Sequence, residues 1–170
     1  KPAIAKVLGK KNVTSYDLAM WQKVPFMINA EGLQGGINHT YGGEIDVLPT
    51  LEDLLGISSN KYLQFGQDLL SADRNQIVPF RNGDWVTPKY TKYDGKYFYT
   101  KNGKPIANPT KAQQAKFDAI QKYVTTDLGL SDKVINGDLL RFYHLPGFKD
   151  VNKKDYTYNL KKSLKKLKQA

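Results

Sequence analysis

GGEIDVLPTLEDLLGI, residues 42–57, reads as a helix approached through two glycines and an aspartate. Pro49 falls in its first turn, where the backbone N–H groups have no acceptor inside the helix, so its missing donor costs nothing there. Pro49 also disfavours helical dihedrals at Leu48, which makes Leu48 the expected cap and leaves Asp46 just outside it, free to serve the loop. Val47, Leu51, Leu54 and Leu55 form the expected inward face, and Gly56 the left-handed stop. So many special residues at one helix start fix a loop in space. That loop, residues 31–43, holds five glycines, Gly32, Gly35, Gly36, Gly42 and Gly43. Upstream of it VPFMINA (24–30) is a continuous apolar run of the kind found in strands buried on both faces. Before that, TSYDLAMWQK (14–23) has a helical pattern that Thr14 or Ser15 can cap. Helix, buried strand, loop, helix is an α/β order, and loops at the edge of such sheets are where ligands are held.

Beyond Arg74 the texture changes. QIVPF (76–80), DWVTPKY (84–90) and KYFYT (96–100) are short, aromatic and β-branched. Asn82-Gly83, Asp94-Gly95 and Asn102-Gly103 are hairpin dipeptides, so the region reads as a small antiparallel sheet. Residues 110–127 then place Ala112, Ala115, Ala119, Ile120, Tyr123 and Val124 at helical spacing. Ser131 is positioned to cap a separate short helix through Leu140, with Gly137 a weak point inside it. The expected division is 1–75, the end of an α/β core; 76–148, an antiparallel sheet with helices; and 149–170, a Lys-rich tail. In that tail Leu160, Leu164 and Leu167 can share a helical face suited to an anionic membrane, or the end can remain solvated.

The chain of 170 residues has no cysteine, which excludes disulfides, thiolate nucleophiles and zinc–thiolate sites. No apolar run is long enough to span a bilayer as a helix. It begins at Lys1, which points to a fragment or a processed product. The net charge of +10 is uneven: −1 over residues 1–75, +5 over 76–148 and +6 over 149–170. A neutral loop-bearing half beside a basic second half suits an anionic polymer or lipid better than nucleic acid, and no nucleic-acid partner is expected.

His39 and His144 are the only histidines. His39 can ligate a metal, line a pocket, or bond locally to the backbone; one histidine with scattered carboxylates favours the last two over the first. Thr40 and Thr50 lack a neighbouring base, and a hydroxyl bonding back to the backbone is the favoured reading of Thr50. There is no P-loop, dinucleotide fingerprint or nucleophile elbow. In YTKYDGKYFYTKNGK (90–104) lysines interleave with aromatics; a ribbon with tyrosine on both faces is favoured over a base- or sugar-stacking platform.

Taken together, VPFMINAEGLQGGINHTYGGEIDVLPTLEDLLGI (24–57), YLQFGQDLLS (62–71), NQIVPFRNGDWVTPKY (75–90) and LSDKVINGDLLRFY (130–143) resemble the C-terminal part of the lipoteichoic acid synthase family, a branch of the sulfatase/alkaline-phosphatase superfamily. The Asp46-x-x-Pro49-Thr50 helix followed by Gly56 is similar to sulfatases broadly. VPFRNGD (78–84) and NGDLLRFY (136–143) resemble the synthase branch. The resemblance implies the C-terminal portion of an α/β/α sandwich followed by a small antiparallel subdomain. It implies transfer of glycerol phosphate from phosphatidylglycerol to a growing polymer at the extracellular face of a Gram-positive membrane. A Thr nucleophile and a divalent cation, taken as manganese, perform that chemistry in the family. Both family features lie upstream, and this sequence has no Asp-His pair to match the family's last metal ligands. No catalytic or metal residue is therefore assigned, and the chain alone is expected to be inactive and to bind no catalytic metal. The upstream half of the same domain is its expected partner, with anionic lipid or glycerol-phosphate polymer a further one. Asn38, His39 and Tyr41 are the expected substrate-proximal residues, positioned by Gly42, Gly43, Asp46 and Pro49. The alternatives are another sulfatase-superfamily hydrolase or phosphoethanolamine transferase, and a non-enzymatic module for anionic cell-surface polymer.

Overall fold

The computed structural model describes residues 2–59 and 63–139. By internal packing the chain divides into a unit of residues 1–139 and another of 140–170, so every described residue belongs to the first. His144, Leu140 and the tail from Pro146 onward lie outside the described residues.

The first unit is mixed α/β. Its helices are α1 (Pro2–Val7), α2 (Ser15–Met20), α3 (Val47–Leu54) and α4 (Lys111–Asn136), with a 3-10 turn (Glu44–Asp46) leading into α3. Its sheet is an antiparallel meander in the order β1-β2-β3-β4, formed by Val78–Pro79, Trp85–Val86, Tyr90–Tyr93 and Lys96–Tyr99. All three hairpin dipeptides fall at its turns, Asn82-Gly83 between β1 and β2, where Gly83 takes φ 84°. Asp94 and Gly95 both take positive φ, 54° and 69°, as a two-residue turn matched to strand twist requires. Asn102-Gly103 folds the chain back so that Pro105 bridges Phe98.

Three strands are expected from the sequence and four form, because DWVTPKY breaks after β2 and its last residue, Tyr90, opens β3. Pro88 cannot donate to a ladder. The chain turns there instead, with Thr87 N–H donating to the Tyr90 carbonyl at 2.8 Å and Tyr90 N–H to Thr87 Oγ1 at 3.0 Å. Pro79 is tolerated because β1 is an edge strand.

Period-two alternation gives the sheet two working faces. Tyr90, Tyr97 and Trp85 meet α4, where Phe117 lies flat on Tyr97 (4.3 Å, 12°) and edge-on to Tyr90 (5.1 Å, 83°). Val124 completes the buried cluster, flanked by Ile120 and Leu128. The opposite face receives α2: Tyr16 packs on Phe98, and its hydroxyl donates to the Thr100 carbonyl at 2.6 Å. Tyr93 lies on this second face, where Gln22 Nε2 donates to its hydroxyl at 3.1 Å, so tyrosine occupies both faces of the ribbon, as expected of the 90–104 segment.

Thr14 caps α2 in a reciprocal box with Asp17. Lys10 beside Asp17, aided by the Thr14 hydrogen bonds, holds that carboxyl below its usual range against the opposing effect of burial.

Four local expectations are corrected. VPFMINA is not a strand: it has no ladder partner among the described residues, and Val24, Phe26 and Met27 are 64%, 45% and 88% exposed. Leu48 is not the cap; α3 starts at Val47, with Asp46 in the cap position and Leu48 exposed. The buried face of α3 is Pro49 and Thr50, while Leu51 and Leu55 face solvent, because the neighbouring 66–69 segment offers polar backbone groups to Thr50 and Asp46. Finally, 110–127 and the separate Ser131 helix are one 26-residue helix. Gly129 costs it about 1 kcal/mol, too little to stop a helix that carries a capping box (Thr110 with Gln113) and an apolar stripe at Phe117, Ile120, Val124 and Leu128. Ala112, Ala115 and Ala119 lie off that stripe, and Gly137 is the C-cap, not an interior weak point.

Candidate functional site

Asp46 is the hub of the region marked out by the sequence. Its carboxylate is buried and accepts three hydrogen bonds, one from the end of the Gly-rich loop and two from the 66–74 segment. Gly43 N–H donates to Oδ2 at 2.9 Å, Gln67 N–H to Oδ1 at 2.8 Å, and Arg74 Nη2 to Oδ2 at 3.1 Å. The next turn repeats the device. Thr50 Oγ donates to the Asp46 carbonyl at 2.6 Å and accepts from Leu69 N–H at 2.8 Å. The hydroxyl of Thr50 thus bonds back to the helix, as expected. The end of the Gly-rich loop, the start of α3 and the 66–74 segment are tied at one point.

The glycines are required there. At Gly42 an added Cβ would stand 2.2 Å from Leu69 Cδ2 and 3.2 Å from Asp46 Oδ2. Gly66 has φ +92°, and its added Cβ would stand 2.1 Å from the Ile45 carbonyl oxygen.

From this anchor the loop runs outward. Tyr41 is half-buried; its N–H donates to Gln76 Oε1 at 3.1 Å, and Lys23 Nζ lies 5.9 Å from its ring centroid. Asn38 is exposed and its Oδ1 accepts from Thr40 N–H at 2.8 Å, an Asx turn. His39, between them, is exposed. The structure therefore places Tyr41, Gly42, Gly43, Asp46 and Pro49 in one fixed unit, and Asn38 and His39 on the exposed arm that it carries. Among the described residues no three His, Cys, Asp or Glu side chains are grouped so as to hold a metal ion. A polar depression of about 360 Å³ lies beyond α3, lined by Glu52, Asp53 and Asp68 among others, and its carboxylates disfavour an anionic ligand.

Sequence reasoning missed Arg74, Gln67 and Gln76. A signal existed for Arg74, the only basic residue between Lys61 and Arg81 in a stretch following a buried aspartate. For the two glutamines there was none.

The unit also touches α4, where Gln67 Nε2 donates to the Tyr123 hydroxyl at 3.3 Å. One turn further on, burial and then the nearby Asp46 charge push the Asp127 carboxyl up. A raised carboxyl pKa means that the folded state binds the proton more tightly, so this contribution to stability is lost as pH rises through the raised value. Asp127→Asn is accordingly expected to stabilise the fold at pH 7 by about 0.5 kcal/mol after allowance for solvent screening, with the gain vanishing in acid. Urea midpoints of both proteins at pH 4 and pH 7 check it.

No family model matches the chain. Curated relatives do. It is 47% identical over 156 residues to lipoteichoic acid synthase 2 of Bacillus subtilis, covering 92% of this chain and 23% of that protein. Lipoteichoic acid synthase 1 of the same organism is 47% identical over 163 residues, 96% of this chain and 25% of that protein. Lipoteichoic acid synthase of Staphylococcus aureus (strain USA300) is 44% identical over 156 residues, again 92% and 23%. The chain spans about a quarter of the length of these relatives. These matches bear out the resemblance read from the sequence: along nearly its whole length this chain is a homologue of the lipoteichoic acid synthases, corresponding to about one quarter of such a protein.

Proposed function

We propose that this chain is part of a cell-envelope phosphoglycerol transferase that builds lipoteichoic acid at the extracellular face of a Gram-positive membrane. The enzyme takes glycerol phosphate from phosphatidylglycerol and releases diacylglycerol. The observation that carries this reading is the 44–47% identity to lipoteichoic acid synthases over more than nine-tenths of the chain. Among the described residues no helix is long and apolar enough to cross a membrane.

In this reading the nucleophile and the ligands of the divalent cation, manganese, belong to the rest of the synthase. The described residues do not fit that ion, since no three His, Cys, Asp or Glu side chains among them are grouped to hold it. The chain's own contribution is a positioned rim: Asn38, His39 and Tyr41 border the substrate, held by Gly42, Gly43, Asp46 and Pro49. The upstream half of the domain is the partner that covers residues 24–30, where Val24, Phe26 and Met27 face solvent in this chain. The basic second half meets anionic lipid or the growing polymer.

The test compares two proteins on phosphatidylglycerol vesicles with manganese. The complete synthase carrying this sequence is expected to release diacylglycerol, and the 170-residue chain none. Release by the chain alone, or none by the complete protein, overturns the proposal.

A further inference from the structure

We infer that Arg74 is a positioning residue for the transfer reaction: its buried pair with Asp46 locks the glycine hinge at residues 42–43 and so sets where the Asn38–Tyr41 arm stands. This rests on the function proposed above and adds a residue that neither the sequence reading nor the relatives' names supply.

Two adjacent glycines give the arm a hinge with few steric limits of its own. Tyr41 N–H to Gln76 Oε1 holds the arm on one side of the hinge and Gly43 N–H to Asp46 on the other, and Asp46 is in turn held by Arg74. Both side chains are buried, 3% exposed for Arg74 and 7% for Asp46. The guanidinium lies against the hinge itself; a Cβ on Gly42 would stand 3.4 Å from its Nη1.

A pair kept for stability alone is a poor design here. Among the described residues Arg74 Nε and Nη1 are buried without a hydrogen-bond partner, so the guanidinium's desolvation is only partly offset. Apolar residues of similar volume often match or exceed a buried ion pair in stability, whereas an ionic pair fixes one arrangement. The pair that is present fixes one placement of the loop end through Gly43 N–H and Asp46.

The test uses the complete synthase with phosphatidylglycerol, read by kinetics and by amide hydrogen exchange. Arg74→Met is expected to raise KM about tenfold with kcat within about twofold, because a misplaced rim loses binding shared by ground and transition states. Exchange at Gly43 and Gln67 should accelerate while amides of β3 and β4 keep their protection. Arg74→Lys, which retains a cation for Asp46, should recover most of KM. The double variant Asp46→Leu/Arg74→Met should keep the fold but not the low KM. An unmoved KM in Arg74→Met, equal loss of protection in β3 and β4, or a wild-type KM in the double variant would each sink the inference. Should the unmodified protein transfer no glycerol phosphate, the proposed function fails by itself, and the exchange pattern alone decides whether Arg74 locks the hinge.

Discussion

Phe117→Ala is expected to destabilise the first unit by about 3–5 kcal/mol, the usual cost of truncating a fully buried aromatic. Phe117 is entirely buried at the centre of three other aromatic side chains. It stacks on Tyr97, meets Tyr90 edge-on and lies 5.9 Å from the Trp85 ring. Each such ring pair adds about 0.5–1.5 kcal/mol beyond area burial, and all three vanish together. Relaxation into the space is limited. Tyr97 and Tyr90 sit on paired strands whose ladder fixes their backbones, and Trp85 is tethered through Nε1 to Gln121 Oε1 at 3.2 Å. The cost therefore belongs near the top of the range. Against a total stability of about 5–15 kcal/mol for an ordinary domain, the variant should be largely unfolded in mild urea. Urea unfolding followed by circular dichroism checks it, with Ala119→Gly on the exposed side of α4 as the comparison. A loss below about 1 kcal/mol for Phe117→Ala would mean that α4 does not hold the sheet.

The difference between these two positions shows what the sequence made legible. The three hairpin dipeptides specify backbone dihedrals locally, so the meander could be read before its partners were known. The Asp46–Gly56 helix and the capped α2 were legible for the same reason: caps and breakers act within a few residues. The apolar face of α4 was not. Alanine at 112, 115 and 119 has helical spacing but little surface to bury, and the aromatic at 117 that organises the core sits between those positions. Periodicity reports a helix more reliably than it reports which side faces the core. VPFMINA failed differently. A continuous apolar run states a demand for burial, and a strand exists only where another backbone supplies a ladder. Of the candidate site, a role for Asp46 in the loop was readable from the glycine pair just before it, although the structure puts Asp46 in the cap position expected for Leu48. The matching Arg74 stood out only as the one basic residue between Lys61 and Arg81, since an ion pair 28 residues apart leaves no local pattern that names its partner.

Gly66→Ala tests the other side of that tie, and it is expected to cost roughly 3 kcal/mol. The loss has two sources. Gly66 has φ +92°, outside the region an alanine adopts without strain. The new Cβ would also stand 2.1 Å from the Ile45 carbonyl oxygen and 2.7 Å from its carbon. These atoms belong to the 3-10 turn that delivers Asp46, so no side-chain rotation relieves the contact. Either the 66–69 segment retreats or the turn does. In both cases Gln67 N–H loses Asp46 Oδ1, and Leu69 N–H loses Thr50 Oγ. The damage should therefore be regional. Exchange should rise first at Gly43, Gln67 and Leu69, while the Trp85–Phe117 core, built from other segments, keeps its protection until global unfolding. Gly83→Ala is the control: it also has positive φ (+84°), but an added Cβ there meets nothing within 4 Å, so it carries the backbone penalty without the clash. If the two variants lose equal stability, close packing of the 66–69 segment on the 3-10 turn contributes nothing, and the tie at Asp46 is weaker than its three hydrogen bonds imply.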